Sequence, residues 1–404
     1  MLQIKPIIST LRHNKSGPLL LLLQIILSVA IVANASFIIN ERVQLMSRDS
    51  GLVEDEVFDF TVYNFEEGVD YTAQNSRDMD IIRGLAGVKA STTSSMTPLS
   101  GGGWSSTFTY GQSEETAKDA PQAAIYYGDE QMVETLGVEM IAGRNFYQSE
   151  IESGHPNTAN LAIVSQAFAT VTWGDEPAVG QTIYAGGYGE QALKVIGVVK
   201  TLQGAWVNSS HLDNAIILNV ELGLTSFNRF LVRAEPGLMT ELKPQIIAAL
   251  HKENKNRVID GFTMITEHRK RVYRDHELMA TVLSMMVILL LLITSLGLAG
   301  MVMFNIERRT KQIGTRRALG AKKRDIVSFF LVENYIICLT GGVIGALVAV
   351  QLGRQLMSVY SLPQLELIYP IATVVGLVVL TTVAVILPAR KAAKISPAIA
   401  TRSV

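Results

Sequence analysis

The chain reads as an α-helical membrane protein with four transmembrane helices and a large α+β extracytoplasmic domain inserted between the first and second helices. Three observations predict this. Four windows are almost free of charge, a long polar stretch separates the first two, and lysines and arginines gather at the window ends. The averages conceal that partition: the 404 residues are 48% hydrophobic and 18% charged, with a formal net charge of −1. That net charge says nothing about partners, because the basic residues are concentrated near the membrane ends, and no nucleic-acid partner is expected.

The segments follow in order. Residues 1–18 are an N-terminal segment carrying Lys5, Arg12 and Lys15, and 19–40 are the first span. Its apolar run Leu19–Ile39 would rise about 31 Å as a helix, against a hydrocarbon core of roughly 30 Å. The run is long for a signal peptide, so it is expected to remain as an anchor despite Ala33-Asn34-Ala35. Residues 41–277 form the inserted domain, 278–304 the second span, 305–325 a basic connector and 326–350 the third span. A short loop over 351–370, a fourth span over 371–387 and a tail over 388–404 complete the chain. Lysine and arginine mark the cytoplasmic side of short loops. Both termini and the connector are therefore expected inside, the inserted domain and the 351–370 loop outside. Arg269, Lys270, Arg271 and Arg274 oppose this, but long domains translocate largely regardless of charge.

Within the domain, 41–49 and 264–277 read as helical continuations of the spans, a stalk. Between them Val57–Phe65 alternates like a half-buried strand. Ser76–Leu85 reads as a helix, Ser105–Tyr110 and Ala123–Tyr127 as strands, and Gln131–Leu136 as a short helix stopped by Gly137. Gly143-Arg144 marks a turn. Leu161–Val164, Leu193–Val199 and Phe230–Arg233 read as strands, Ser165–Val171 and Thr240–Glu253 as helices. Mixed strands and helices of this kind give α+β in two lobes. The one cysteine, Cys338, falls in the third span, so the domain has no disulfide to staple it.

Motifs for catalysis are missing. Leu99-Ser100-Gly101-Gly102-Gly103 looks like an ATPase signature loop, yet the sequence contains no GxxxxGK[ST] phosphate cradle. His13, His155, His211, His251, His268 and His276 lack zinc-site spacing, and no GxSxG elbow occurs. An enzymatic role has no residue to rest on. Glu333 is the exceptional charge inside a span. Such a charge is costly and often functional; the favoured reading is that it lies near the cytoplasmic interface and pairs with a neighbouring Arg or Lys. Gly297 and Gly300, then Gly341, Gly342 and Gly345, are small residues that let helices approach closely. They serve packing within the bundle or a seam with a second chain.

The connector itself, Glu307–Asp325, holds Arg308, Arg309, Lys311, Arg316, Arg317, Lys322, Lys323 and Arg324. Ile306, Ile313, Ala318 and Leu319 form an apolar stripe if Ile306–Leu319 is a helix ended by Gly320. Such a helix can lay Ile313 and Leu319 into a groove while its arginines meet an acidic rim.

These residues also carry a resemblance. Ile306-Glu307-Arg308-Arg309-Thr310-Lys311-Gln312-Ile313-Gly314-Thr315-Arg316-Arg317-Ala318-Leu319-Gly320-Ala321-Lys322-Lys323-Arg324-Asp325 resembles the cytoplasmic connector of the FtsX-like permease family. Pro388-Ala389-Arg390-Lys391-Ala392-Ala393 with Ser396-Pro397 is similar to that family's end signature. Ser165-Gln166-Ala167-Phe168, Trp173-Gly174, Val179-Gly180, Leu136-Gly137, Ala142-Gly143-Arg144 and Val195-Ile196-Gly197-Val198-Val199-Lys200 resemble a MacB-type periplasmic core domain. Lys322 departs from the small capping residue usual after the Leu-Gly-Ala turn.

The resemblance implies a permease subunit of an ABC exporter in a bacterial inner membrane, working by mechanotransmission. It implies a separate ABC ATPase subunit carrying ATP and Mg, with no cofactor in this chain, and a second permease, identical or paralogous. A periplasmic adaptor and an outer-membrane channel are further expected partners in efflux of peptides, toxins or drugs. The family also contains regulatory transducers that control an extracellular hydrolase, and lipoprotein-release permeases.

Overall fold

The computed structural model describes residues 16–66, 68, 70–111, 116–185, 191–222, 227–360 and 364–395. Lys5, Arg12, His13, Lys15, Ser396, Pro397 and Arg402 lie outside the described residues. The chain divides into two compact units, Met1–Ser47 with His276–Val404, and Arg48–Asp275.

Helix α1 (Ser16–Met46) begins with Pro18 in its first turn, where a missing N–H has no partner to lose. It then runs through leucines, isoleucines and alanines without another break.

Among the described residues the unit Arg48–Asp275 holds two main sheets and a two-stranded pairing of Glu152–Ser153 with Val220–Glu221. The smaller main sheet is built from β1 (Val57–Asn64), α2 (Tyr71–Arg83) and β2 (Val88–Thr93) at the start of the domain. Its remaining parts come from the far end of the domain, after β3 (Ser105–Tyr110), β4 (Lys118–Tyr127), α3 (Met132–Leu136), β5 (Met140–Gly143), β6 (Glu152–Ser153), β7 (Leu161–Ser165), α4 (Gln166–Trp173), β8 (Thr182–Ala185), β9 (Ala192–Val199), β10 (Ala215–Leu218) and β11 (Val220–Glu221). They are β12 (Phe227–Ala234), α5 (Met239–Glu253) and β13 (Arg257–Met264). The strand order β13-β1-β12-β2 is antiparallel throughout. Two βαβ units thus interleave, each parallel pair separated by a strand of the other. Phe58, Phe60 and Val62 of β1 and Phe230 and Val232 of β12 pack on Met79, Ile82, Leu242, Ile246 and Leu250 of the two helices. Inside this layer Arg257 Nη1 meets Asp78 Oδ2 at 2.6 Å with both side chains buried, tying the start of β13 to α2 from 179 residues away.

Everything from β3 to β11 is inserted between the two βαβ halves. Its sheet has the order β5-β9-β7-β10-β4-β3-β8, and β8 pairs with β9 as well as β3. The six strands β9, β7, β10, β4, β3 and β8 therefore close into a ring, which leaves no free edge among them. Phe108, Ile125, Val164, Phe168, Ile183, Val195 and Ile216 fill a single cluster there. Gly143 ends β5 with φ +73°, and a Cβ at that position would sit 2.1 Å from the Ile196 carbonyl oxygen. Only glycine fits so close an approach.

Several expectations need correction. The helix read as Ser76–Leu85 begins at Tyr71, because Asp70 caps it by accepting from the Ala73 N–H. Strands β2, β8, β10 and β13 carry no periodic signal strong enough to read, and each is defined by its neighbour in the sheet. The helical reading of 264–277 is also wrong in its middle. Residue Met264 ends β13, α6 spans Ile265–Val272, and Tyr273 (φ −91°, ψ 0°) interrupts the helix before α7 starts at Arg274.

The remaining helices are α7 (Arg274–Arg308), α8 (Thr310–Ala318), α9 (Lys323–Tyr360) and α10 (Ile368–Ala392). Helices α1, α7, α9 and α10 are each long and apolar enough to cross a membrane. Residues 351–360 continue α9 rather than forming a loop, since Gln351, Arg354 and Gln355 are good helix formers beyond the apolar run. Leu21, Ile25 and Val29 of α1 pack on Ile337 and Cys338 of α9 and Leu377 and Ala384 of α10. Helix α7 buries a narrow stripe, Thr294, Leu298 and Val302, at four-residue spacing.

One titration distinguishes the domain. Burial, followed by repulsion from Asp129, pushes the Glu221 carboxyl from 4.5 up to about 7. The folded state then keeps a proton that the unfolded chain has lost, so stability falls as pH rises from about 4.5 towards 7. All three tryptophans, Trp104, Trp173 and Trp206, lie in this unit and report its melting. Glu221→Gln should flatten the fall: tryptophan-fluorescence melts should show a higher midpoint than the parent above neutral pH, and little gain in mild acid.

Candidate functional site

The connector does not form the single helix Ile306–Leu319. Ile306–Arg308 are the last turn of α7, Arg309 leaves helical geometry (φ −104°, ψ 14°), and α8 starts at Thr310. The reason lies in the side chain of Arg309. It reaches Glu333 of α9 with two parallel bonds, Nη1 to Oε2 at 2.9 Å and Nη2 to Oε1 at 3.0 Å. Glu333 is 2% exposed. A carboxylate buried among apolar helices needs such a partner, and the two-pronged guanidinium fits it. The exceptional charge inside a span and one of the connector arginines are therefore one feature.

The other end of α8 is closed by backbone geometry. The Ala321 N–H donates to the Arg316 carbonyl at 3.0 Å, and the Gly320 N–H to Arg317 at 3.2 Å, with Gly320 at φ +96°. That pairing is the glycine-ended helix stop in which two orphan carbonyls find donors. Lys322 offers no capping side chain, and Asp325 Oδ2 accepts the Lys322 N–H at 2.8 Å to start α9 instead.

Clamped at both ends, α8 presents three faces. Ile313, 5% exposed, and Gly314 turn inward. Ile313 packs with Val302 of α7, Ile326 and Phe330 of α9, and Val385, Ala389 and Ala392 of α10, and Ile306 joins them partly buried. Ile313 is thus not available to a partner, which corrects its expected docking role: its apolar side chain already fills the chain's own bundle. Arg317 is half-buried and donates to the Ala321 carbonyl at 3.1 Å. Lys311, Thr315 and Ala318 face solvent, as do Glu307 and Arg308 on α7, Gly320, and Leu319 at 84% exposure. On a third side, Arg316 lies 4.9 Å from the ring centre of Phe329, while Arg308 lies 5.0 Å from that of Phe304.

The glycines sort themselves by geometry. A Cβ at Gly341 would lie 2.7 Å from Ile25 Cγ2, and one at Gly345 would lie 2.8 Å from Val29 Cβ, so both bring α9 against α1. Gly342 faces Val374 of α10 at 3.1 Å, and Gly297 faces the Gln24 side chain at 2.7 Å. These four serve packing within the chain. Gly300 alone of the five has nothing within 4 Å. Polar side chains add to the packing: Ser28 and Thr294 share a 2.8 Å hydrogen bond, and Asn34 donates to the Ala349 carbonyl at 3.0 Å.

The remaining candidates resolve into structure. The glycine loop after Leu99 is fastened inside the domain, with the Leu99 N–H on the Gly204 carbonyl and the Gly101 N–H on Ala205. His268 Nε2 meets Asp59 Oδ1 at 2.7 Å, and His276 Nδ1 accepts from Arg42 at 3.0 Å. Among the described residues no group of His, Cys, Asp and Glu is placed to hold a metal. Sequence reading missed the seating of α8 on Phe329 of α9 and Ala389 and Ala392 of α10, whose only signal is spacing along helices not yet placed in space.

The ion pair yields a test. Glu333→Gln strands a buried guanidinium and should cost about 3–5 kcal/mol, whereas replacing both partners with Met should recover most of that. Heating the purified protein in detergent and following the loss of the monodisperse species measures both.

With this geometry in hand, the comparisons with known proteins are specific. The MacB-like periplasmic core domain family matches residues 19–249, and the FtsX-like permease C-terminal family matches residues 284–397. The macrolide export ATP-binding/permease protein MacB of Neisseria gonorrhoeae is 26% identical over 318 residues, 76% of this chain and 47% of that protein. Those of Shewanella oneidensis and Paracoccus denitrificans are each 26% identical, over 57% and 62% of this chain and 36% of theirs. The chain spans about half the length, or less, of the curated relatives it matches. Among solved structures, the periplasmic region of MacB from Actinobacillus actinomycetemcomitans aligns with TM-score 0.35 and 12% identity, covering 57% of this chain and 97% of that one. The extracellular domain of the transporter YknZ aligns with TM-score 0.31 and 14% identity, covering 50% and 100%.

Proposed function

This chain belongs to the family of permeases that join a MacB-like periplasmic core domain to an FtsX-like permease C-terminal region, and from that premise we propose that it is the permease subunit of a MacB-like ABC exporter. In this reading it lies in a bacterial inner membrane, with the connector and both termini cytoplasmic and the domain Arg48–Asp275 periplasmic. The observation that carries the proposal is the clamped helix α8. It projects Leu319, 84% exposed, and the cationic edge of Lys311 and Arg308 away from the bundle. A partner groove with an apolar floor and an acidic rim would fit that surface.

The partner is an ABC ATPase, which binds ATP and Mg and supplies the chemistry. None of these 404 residues forms a phosphate cradle, so hydrolysis has to be done by residues outside them. Closure of two ATPases would push two connectors together, with a second permease alongside. Because α8 is fastened to α9 through Glu333 and is separated from α7 by a single non-helical residue, displacement at α8 reaches both helices. The spans offer no line of charged groups for a solute, so work is delivered to the extracytoplasmic domain. Export of peptides, toxins or drugs, with a periplasmic adaptor and an outer-membrane channel, accords with relatives named for macrolide export.

Two measurements test this. Leu319→Asp should abolish ATPase co-purification while leaving thermal stability in detergent intact, whereas Ile313→Asp should lose both because it buries a charge. Unchanged co-purification in Leu319→Asp refutes the docking role. For orientation, a membrane-impermeant thiol reagent applied from outside should label Trp206→Cys and spare Lys323→Cys; the reverse pattern inverts the topology.

A further inference from the structure

The docking surface leaves one side of the connector unused. Gln312 and Arg316, four residues apart, share a side of α8, and Arg309 just before its first turn lines the same cleft. Opposite them stand Ile326, Phe329 and Phe330 of α9, and the two rows enclose that cleft. The connector side offers Arg309, Gln312 and Arg316 above the buried Ile313, and the α9 side is apolar and aromatic. Arg309 has its charge met by Glu333. Arg316 does not: among the described residues it makes no ion pair with a carboxylate, and its guanidinium rests 4.9 Å from the Phe329 ring centre. A guanidinium stacked on a ring keeps its N–H edge open for an anion.

The position of the cleft narrows the ligand. Ile326, Phe329 and Phe330 fall in the first two turns of α9, where its apolar run begins. From Phe329 a row of outward or half-outward residues climbs the same side of the helix through Val332, Ile336, Leu339, Val343 and Leu347. A molecule that fits has an anionic group at one end and an apolar chain long enough to follow that row. An acidic protein segment supplies the charge and not the chain.

We propose that this cleft holds an anionic membrane phospholipid, its phosphate on Arg316 and Gln312 and an acyl chain along Phe329 and the row above it. The bound lipid neutralises Arg316 and ties the side of α8 to the membrane surface. The proposal stands independently of ATPase docking, which uses the outward residues Lys311 and Leu319.

Native mass spectrometry of the full chain in detergent, titrated separately with phosphatidylglycerol and phosphatidylcholine, tests it. The parent should retain phosphatidylglycerol in preference, and Arg316→Gln should weaken that retention by about fivefold or more, the scale of one well-placed cation at a lipid surface. Gln312→Leu should weaken it less, Arg316→Lys should restore part of it, and Lys311→Gln should leave it within about twofold, as expected for a cation off the site. Equal retention of the two lipids overturns the proposal, as does an equal loss in Arg316→Gln and Lys311→Gln. Displacement by inorganic phosphate at matching concentration overturns it in favour of a free-anion site. Should Arg316→Gln fail to fold, retention unchanged in Gln312→Leu is sufficient to reject it.

Discussion

Removing a carboxylate and a guanidinium from water costs several kcal/mol each, and the cost is offset only when they meet in good geometry. Arg309 and Glu333 meet that condition with two bonds near 3 Å, and the shape of the connector depends on it. The pair draws Arg309 out of the helical path, ends α7, and sets the origin of α8. With the glycine stop at Gly320 it bounds α8 at both ends, and the helix presents inner, outer and lateral faces. The inner face is apolar and seated by Ile313; the outer carries Leu319; the lateral carries Arg316.

The same separation of roles appears in the packing of the spans. Glycines at 341 and 345 are consumed by contacts of α9 with α1, where a methyl group would collide, and Gly342 sits close against Val374 of α10. Helix α7 is held by a narrow stripe and the Ser28–Thr294 bond, and it leaves Leu278, Met285, Ile288, Leu292 and Leu296 exposed. Helix α7 is therefore tied closely at its connector end and less closely along its length.

The extracytoplasmic domain rests on a different constraint. Its outer βαβ halves come from opposite ends of the segment and pair through β1 and β12, so the barrel between them is held where a short hairpin would otherwise be. Ring closure through β8 satisfies the strands of that barrel without any disulfide.

Sequence alone determined what depends on local composition and short spacing. Apolar length set the four spans, capping and glycine stops set many helix ends, and ordered motifs along the chain carried the family resemblance. The alternation in β1 and the buried runs of β7 and β9 were legible for the same reason. The interleaved βαβ order, the closed barrel and the weak strands β2, β8, β10 and β13 were not, because partners far apart in the chain define them. The connector shows the division most plainly. Its basic charge and apolar residues were evident in sequence, yet an apolar residue on a short helix can face a partner or its own bundle. Only the tertiary structure, by joining Arg309 to Glu333, decided that Ile313 faces the bundle and Leu319 faces out.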